Sequence, residues 1–180
     1  VAIVGVGNCA SSLIQGLEYY KEVDEKSKPV IGVMRNDFGG YLIKDIEIVA
    51  AFDVNANKVG KDISEAIFEE PNCTKIFSKV PIKGVNVRAG PLLDGIAKHM
   101  EYKFPLVKVC DDVEKILKDA KVEIIVTYLP AGSTQAIHYW AEKALEHKIA
   151  FINAIPVFVS SDKNWSQKFK DKGIPCAGDD

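Results

Sequence analysis

The first twenty residues constrain the fold more than any other part of the chain. Val1–Val4 (VAIV) is an unbroken apolar run, GVGNCA follows it, and an amphipathic segment begins at Cys9. A short apolar run ending in glycine reads as a strand buried on both faces. From Cys9 to Tyr20, Leu13, Leu17 and Tyr20 recur on one helical face, with Gln15 and Glu18 directed elsewhere. The pattern is strand–GxGxxA–helix. Gly5 permits the tight turn, Gly7 lets a pyrophosphate approach the backbone, and Ala10 allows close packing of helix on sheet. A phosphate held there meets the free N–H groups and the positive end of the helix.

The same alternation continues along the chain. Ile46–Phe52 (IEIVAAF) reads as a second buried strand with Asp53 at its end, and 54–70 as a helix turning Val59, Ile63, Ala66 and Ile67 inward. A short strand is expected at Val85–Arg88, and GPLLDGIAKHM and DDVEKILKDA are each helix-like. Val122–Tyr128 reads as a strand broken by LPAG. Ser133–His147 reads as a helix N-capped by Ser133, with Ile137, Trp140, Ala141 and Leu145 inward. Ile149–Ile152, Asp162–Lys172 (stopped by Gly173) and Ile174–Ala177 follow as strand, helix and strand. There is no hairpin signature, so each pair of strands needs a crossover helix. The expected architecture is α/β, with a doubly wound, mostly parallel Rossmann-type sheet. Lys21–Asp45, polar and punctuated by Gly and Pro, reads as a surface excursion, in part helical.

Composition removes several classes of function. The net charge of −2 at pH 7 leaves no basic surplus for binding a phosphate backbone, so no nucleic-acid partner is expected. No apolar run approaches the roughly 18 residues needed to span a bilayer, and the opening segment has no basic n-region or cleavage site, so no membrane association is expected. Cys9, Cys73, Cys110 and Cys176 are scattered singly, without CxxC or Cys–His zinc spacing, which points to a reduced, cytoplasmic setting.

The candidate site residues gather at the ends of the expected strands. Asp53 is the matching acid for an adenosine ribose hydroxyl; a carboxylate there repels a 2′-phosphate and favours NAD over NADP. It lies further from the glycines than the usual spacing of about 20 residues because of the excursion, and capping of the following helix is its other reading. TYLPAGS, with Tyr128, Leu129, Pro130 and Ser133, lies where a nicotinamide ribose would pass, or is simply a strand-to-helix loop. Asn153 in NAIP could bond a ligand or close its own turn. Asp179 and Asp180, adjacent acids at a strand end, suit a metal ion or a sugar hydroxyl, or are a frayed end. Cys9 sits at a helix start, where thiol pKa values fall, yet no histidine is near it in sequence. His99, His138 and His147 fall on helix-like segments, which suits surface or helix-end roles.

Taken together, VAIVGVGNCASSLIQGLEYY, VAAFDVNANKVGKDISEAIF, GPLLDGI, TYLPAGS, FINAIPVFVSSD and the closing GDD resemble, in order, the prokaryotic myo-inositol-1-phosphate synthases. The resemblance implies tightly bound NAD, used as a recycled oxidant in converting glucose 6-phosphate to 1D-myo-inositol 3-phosphate: oxidation at C5, enolisation, intramolecular aldol closure and reduction. It implies that Gly5, Gly7, Asn8, Cys9 and Ala10 cradle the pyrophosphate, that Asp53 holds the ribose, and that Asp62 is a further cofactor contact. It places Asn153, Asp179 and Asp180 as catalytic residues facing nicotinamide and substrate, with Asp180 as ligand to a divalent or monovalent cation. The family is homotetrameric and carries a second domain, with catalytic lysines, beyond the GDD segment. Residues 1–180 are therefore expected to be its NAD-binding portion, holding NAD weakly and inactive alone. Two other readings share the glycine loop and Asp53: an NAD-dependent sugar or polyol dehydrogenase, and a non-enzymatic NAD(H)-sensing module.

Overall fold

Six short strands, all parallel, form one sheet in a computed structural model that describes residues 1–96, 100 and 102–179. The strands are β1 (Ala2–Val4), β2 (Ala50–Asp53), β3 (Arg88–Ala89), β4 (Ile124–Thr127), β5 (Ala150–Asn153) and β6 (Cys176–Gly178). Their spatial order is β3-β2-β1-β4-β5-β6. Between them run α1 (Asn8–Tyr19), α2 (Ile63–Ala66), α3 (Val113–Asp119), α4 (Thr134–His147) and α5 (Lys163–Asp171). This is the doubly wound architecture expected from the alternation, with its topological switch between β1 and β4, where such sheets bind ligands beyond their carboxyl ends.

Two apolar layers hold the sheet. On one face Ile3 and Ala51 pack with Val6, Ala10 and Ile14 of the β1–α1 unit and with Ile63, Ala66 and Ile67 around α2. On the other, Ala2, Val4, Phe52, Ile125 and Phe151 pack with Val113 and Leu117 of α3, with Ile137, Trp140, Ala141 and Leu145 of α4, and with Phe169 of α5. Burying each large side chain of this kind stabilises the fold by about 1.5–3 kcal/mol. The Phe52 and Trp140 rings, 4.8 Å apart, join β2 to α4 across the switch point. The inward positions expected for α4 are those observed.

Several local expectations are corrected, each by a hydrogen bond that periodicity does not report. Gln15 was expected to point away from the core but is fully buried. Its carbonyl accepts from the N–H groups of Phe77 (2.8 Å) and Ser78 (3.2 Å), and its amide donates to Ser11 Oγ and the Lys75 carbonyl, stitching the 75–78 loop across α1. The helix expected over 54–70 shrinks to α2. Asn55 N–H donates to Asp53 Oδ1 and Asn57 N–H to Asn55 Oδ1, and these consecutive Asx turns compete with helix in the first part of the segment. The second strand begins at Ala50 rather than Ile46. The third is Arg88–Ala89. Residues 90–96 form no helix; 97–99, which fall in that same expected helix and include His99, lie outside the described residues. The excursion is mostly turns with one 3-10 turn, Ile43–Asp45. No helix among the described residues is long and apolar enough to cross a membrane.

Candidate functional site

A mostly apolar cleft of about 870 Å³, counted to its open mouth, lies beyond the carboxyl ends of β1, β2, β3 and β4. Its floor is the glycine turn (Gly5, Gly7); its walls include Phe52, Leu92, Leu93 and Trp140, with Tyr128, Leu129 and Pro130 on the β4 side. Asp53, Asn55 and Lys58 supply its polar edge. An apolar lining with a few convergent polar groups is the make-up of sites for small molecules and cofactors.

The two glycines are bare for different reasons. Gly5 has φ +90°, and a Cβ there would stand 2.6 Å from the Tyr128 carbonyl oxygen. The fold itself therefore demands glycine at position 5, where the turn passes under β4. A Cβ on Gly7 would meet nothing within 4 Å. Nothing among the described residues explains the missing side chain at position 7, and the space it leaves adjoins the start of α1. That helix is N-capped by Gly7 without a side-chain hydrogen bond and carries no acid in its first turn. Its first amides are left to an incoming acceptor.

Asp53 faces this turn. Its Oδ2 accepts from Val6 N–H at 2.7 Å and its Oδ1 from Asn55 N–H at 2.8 Å. It caps no helix, and each oxygen keeps a lone pair for a further donor. Lys58 was not anticipated. It is 3 % exposed and donates to the Val6 carbonyl at 2.5 Å. Burial pulls its pKa below the usual lysine value, against the opposing fields of Asp53 and Glu69. The signal was available as an acid-x4-lysine spacing at the end of the second strand, but a lysine in a polar segment reads by default as solvated.

The remaining expected residues divide between this cleft and other work. Asn8 is exposed and reaches sideways: its Oδ1 accepts from Cys73 N–H at 2.9 Å and its carbonyl from the Thr74 hydroxyl at 3.1 Å, tying the start of α1 to the 72–74 loop. Cys9 is exposed, and Ala10 is fully buried in the α1 layer. The Tyr128 hydroxyl is pushed up in pKa by burial, with a smaller push from Cys9. Ser133 does not cap α4: its buried hydroxyl donates to the Pro130 carbonyl at 2.5 Å. The cap comes from Asp94 of the GPLLDGI segment, which accepts from the N–H groups of Gln135 (2.7 Å) and Ala136 (2.9 Å).

Asp62 stands outside the cleft lining. It N-caps α2 through Ser64 and accepts from the N–H groups of Lys83, Gly84 and Val85, so its carboxylate is consumed in closing the 83–85 loop onto the helix. Asn153 and Asp179 are likewise not in the lining. The Asn153 amide nitrogen donates to the carbonyls of Ile155 (3.0 Å) and Val157 (2.7 Å) and to Asp179 Oδ1 (3.0 Å), and its oxygen accepts from the Thr127 hydroxyl at 3.1 Å. Asp179 Oδ2 accepts from Ser161 N–H at 2.6 Å. Burial disfavours the charged Asp179, but hydrogen bonds from Ser161, Asn153, Val159 and Ser160 outweigh it and bring the pKa down to about 2. These two side chains tie together the ends of β4, β5 and β6. Gly178, at φ +121°, completes this junction: a Cβ there would fall 1.9 Å from the Asn153 carbonyl oxygen. Asp180 lies outside the described residues.

Among the described residues, side chains able to share a metal ion come together at Glu114, Glu146 and His147. They lie on α3 and α4 outside the cleft lining, and the Lys143 ammonium already bridges the two carboxylates at 2.8 and 2.7 Å.

No family model matches the chain. Individual relatives do. It is 50% identical over 184 aligned residues to a protein of Mycolicibacterium smegmatis named inositol-3-phosphate synthase, and 49% identical over 183 to one of the same name from Corynebacterium glutamicum. Both alignments cover all of this chain and 50% of the relative, so the chain spans about half the length of the curated relatives it matches. The crystal structure of Ari2 superposes with a TM-score of 0.81 at 33% identity, over 99% of this chain and 53% of the other. A myo-inositol-1-phosphate synthase-related protein of Thermotoga maritima superposes with a TM-score of 0.69 at 20% identity, again over 99% and 53%, a likeness of fold alone.

Proposed function

The chain is a relative, along its whole length, of the inositol-3-phosphate synthases, and on that premise we propose that its cleft holds NAD for an enzyme that converts glucose 6-phosphate to 1D-myo-inositol 3-phosphate. The observation that carries this reading is Gly7: a position bare of side chain, with no atom of the described residues to explain it, at a helix start without a side-chain cap. A pyrophosphate is the group whose approach such a position admits.

In this reading the first amides of α1 receive the pyrophosphate, and Asp53 accepts a hydrogen bond from a ribose hydroxyl with its free lone pairs. The negative charge of Asp53 makes NAD the favoured dinucleotide over NADP. Phe52, Leu92, Leu93 and Trp140 exclude water from the bound adenosine. When bound, NAD supplies a hydride acceptor at the start of the isomerisation and a hydride donor at its end. A protein that grips both ends of one sugar chain makes the carbon–carbon closure intramolecular, which is worth several orders of magnitude in effective concentration. Asn153 and Asp179 are committed to the fold, so the share assigned to this chain is cofactor binding rather than proton transfer. Tetramer assembly and a cytoplasmic setting belong to the same proposal through the likeness to the synthases; the implied cation is assigned to none of the described residues.

The test is a titration of the protein with NADH, followed by nicotinamide fluorescence, beside the variant Gly7→Val. Saturable binding that the variant loses by at least tenfold is the expected result. Equal binding by both proteins, or none by the wild type, overturns the reading.

A further inference from the structure

Lys58 is a buried ammonium with three N–H bonds and, among the described residues, one hydrogen-bond partner, the Val6 carbonyl at 2.5 Å. Lys58 lines the same cleft as Asp53. The two charged groups bracket one residue of the glycine turn, with Asp53 accepting from Val6 N–H at 2.7 Å and Lys58 donating to Val6 C=O. A buried ammonium with unspent donors is costly unless something accepts from it. A lysine needed only to brace Val6 is over-equipped, because a neutral donor would serve the carbonyl without desolvating a charge.

We propose that Lys58 is a ligand of the bound dinucleotide, and that its free N–H bonds go to a ribose oxygen on the adenosine side. The proposal rests on the NAD reading and deepens it. Asp53 accepts from the ribose and Lys58 donates to it, so the ribose is held by a charge of each sign. Lys58 then also sets how strongly the site rejects a 2′-phosphate. Asp53 repels that group and Lys58 attracts it, so the preference for NAD over NADP is the difference between two opposing fields rather than the work of Asp53 alone.

The experiment compares wild type with Lys58→Met, which keeps the stem and removes the charge, by fluorescence titration with NADH and NADPH. Far-UV circular dichroism checks the fold. Lys58→Gln, which keeps one donor for Val6, is read in the same way should Lys58→Met not fold. Loss of a hydrogen bond from a charged donor predicts that NADH affinity falls about tenfold or more. Loss of the cation predicts that NADPH affinity falls further still, widening the preference for NADH. A folded variant that binds NADH within twofold of wild type overturns the role of Lys58 and leaves the NAD reading standing. An equal loss for both dinucleotides overturns it too, since a brace for the glycine turn alone would weaken both alike. Failure of the wild type to bind either dinucleotide overturns the NAD reading itself, and this proposal with it.

Discussion

Replacing Asn153 by alanine separates a role in the fold from a role in chemistry. The buried side chain reaches four hydrogen-bond partners, three of them sharing its two amide N–H bonds, and their losses are unequal. The carbonyls of Ile155 and Val157 lose their bonds from the Asn153 amide, at about 1–1.5 kcal/mol each. The Thr127 hydroxyl loses less, because the Ile152 carbonyl lies 3.4 Å away as a second acceptor. Asp179 keeps its bond from Ser161 N–H, and its partial exposure lets water replace the amide. With the small cavity left by truncation, Asn153→Ala is expected to cost about 3–4 kcal/mol, a large share of an ordinary domain's stability. Urea unfolding followed by the fluorescence of buried Trp140 measures it, at low temperature so that the variant stays folded in water. The NADH affinity of the folded variant is expected to stay within threefold of wild type, since the side chain does not line the cleft. A destabilisation below 1 kcal/mol, or a collapse of NADH binding in a well-folded variant, would refute the assignment of Asn153 to the junction of β4, β5 and β6.

Two further outcomes follow from side chains whose partners are now defined. Asp94→Ala is expected to lower stability by about 1 kcal/mol and to speed hydrogen exchange at the Gln135 and Ala136 amides, whereas Ser133→Ala leaves those amides unchanged because Asp94, not Ser133, caps α4. Asp179 has a folded pKa of about 2, below its ordinary 3.8, so its contribution is complete above the higher value and is lost as pH falls through the lower one. Discounted for partial exposure, it is about 1 kcal/mol. The gap in urea midpoint between wild type and Asp179→Asn should be open at pH 5 and closed near pH 2; a gap independent of pH contradicts the assignment.

The fold was legible where the side-chain period decides structure, and illegible where a polar side chain chooses the backbone's path. Ile137, Trp140, Ala141 and Leu145 announce α4 and its buried face, because an amphipathic helix of four turns has one way to meet a sheet. Residues 54–70 carry inward residues at helical spacing too, yet Asp53, Asn55 and Asn57 divert the first part of the segment into turns that hydropathy does not register. Gln15 shows the same limit: a polar residue on the wrong face is buried because a loop 60 residues later brings backbone groups to satisfy it. For the site, GVGNCA and Asp53 lie where the motif puts them. Asp62, Asn153 and Asp179 were attractive because carboxylates and amides at strand and helix ends are what ligands need. Backbone N–H and C=O groups at those ends need them as well, and in this fold the backbone takes them.

Val6 shows why the glycine turn is ready before any ligand arrives. A turn between a strand and a helix leaves its central peptides without ladder or helix partners, and such peptides are free to rotate. Here Asp53 takes the N–H and Lys58 the C=O of the same residue, from opposite ends of one six-residue stretch. Gly5 is fixed separately, its N–H donating to the Phe52 carbonyl of β2 at 2.9 Å. The loop is thus held at three points by β2 and by the segment after it, elements that also wall the cleft. Its ordering entropy, of order 1–2 kcal/mol for each residue fixed, is spent in folding and not on binding. The unusually distant position of Asp53 in the sequence costs nothing in this arrangement. The 21–45 excursion lies between the end of α1 and the start of β2, and what matters to the turn is the register that sets Val4 beside Phe52.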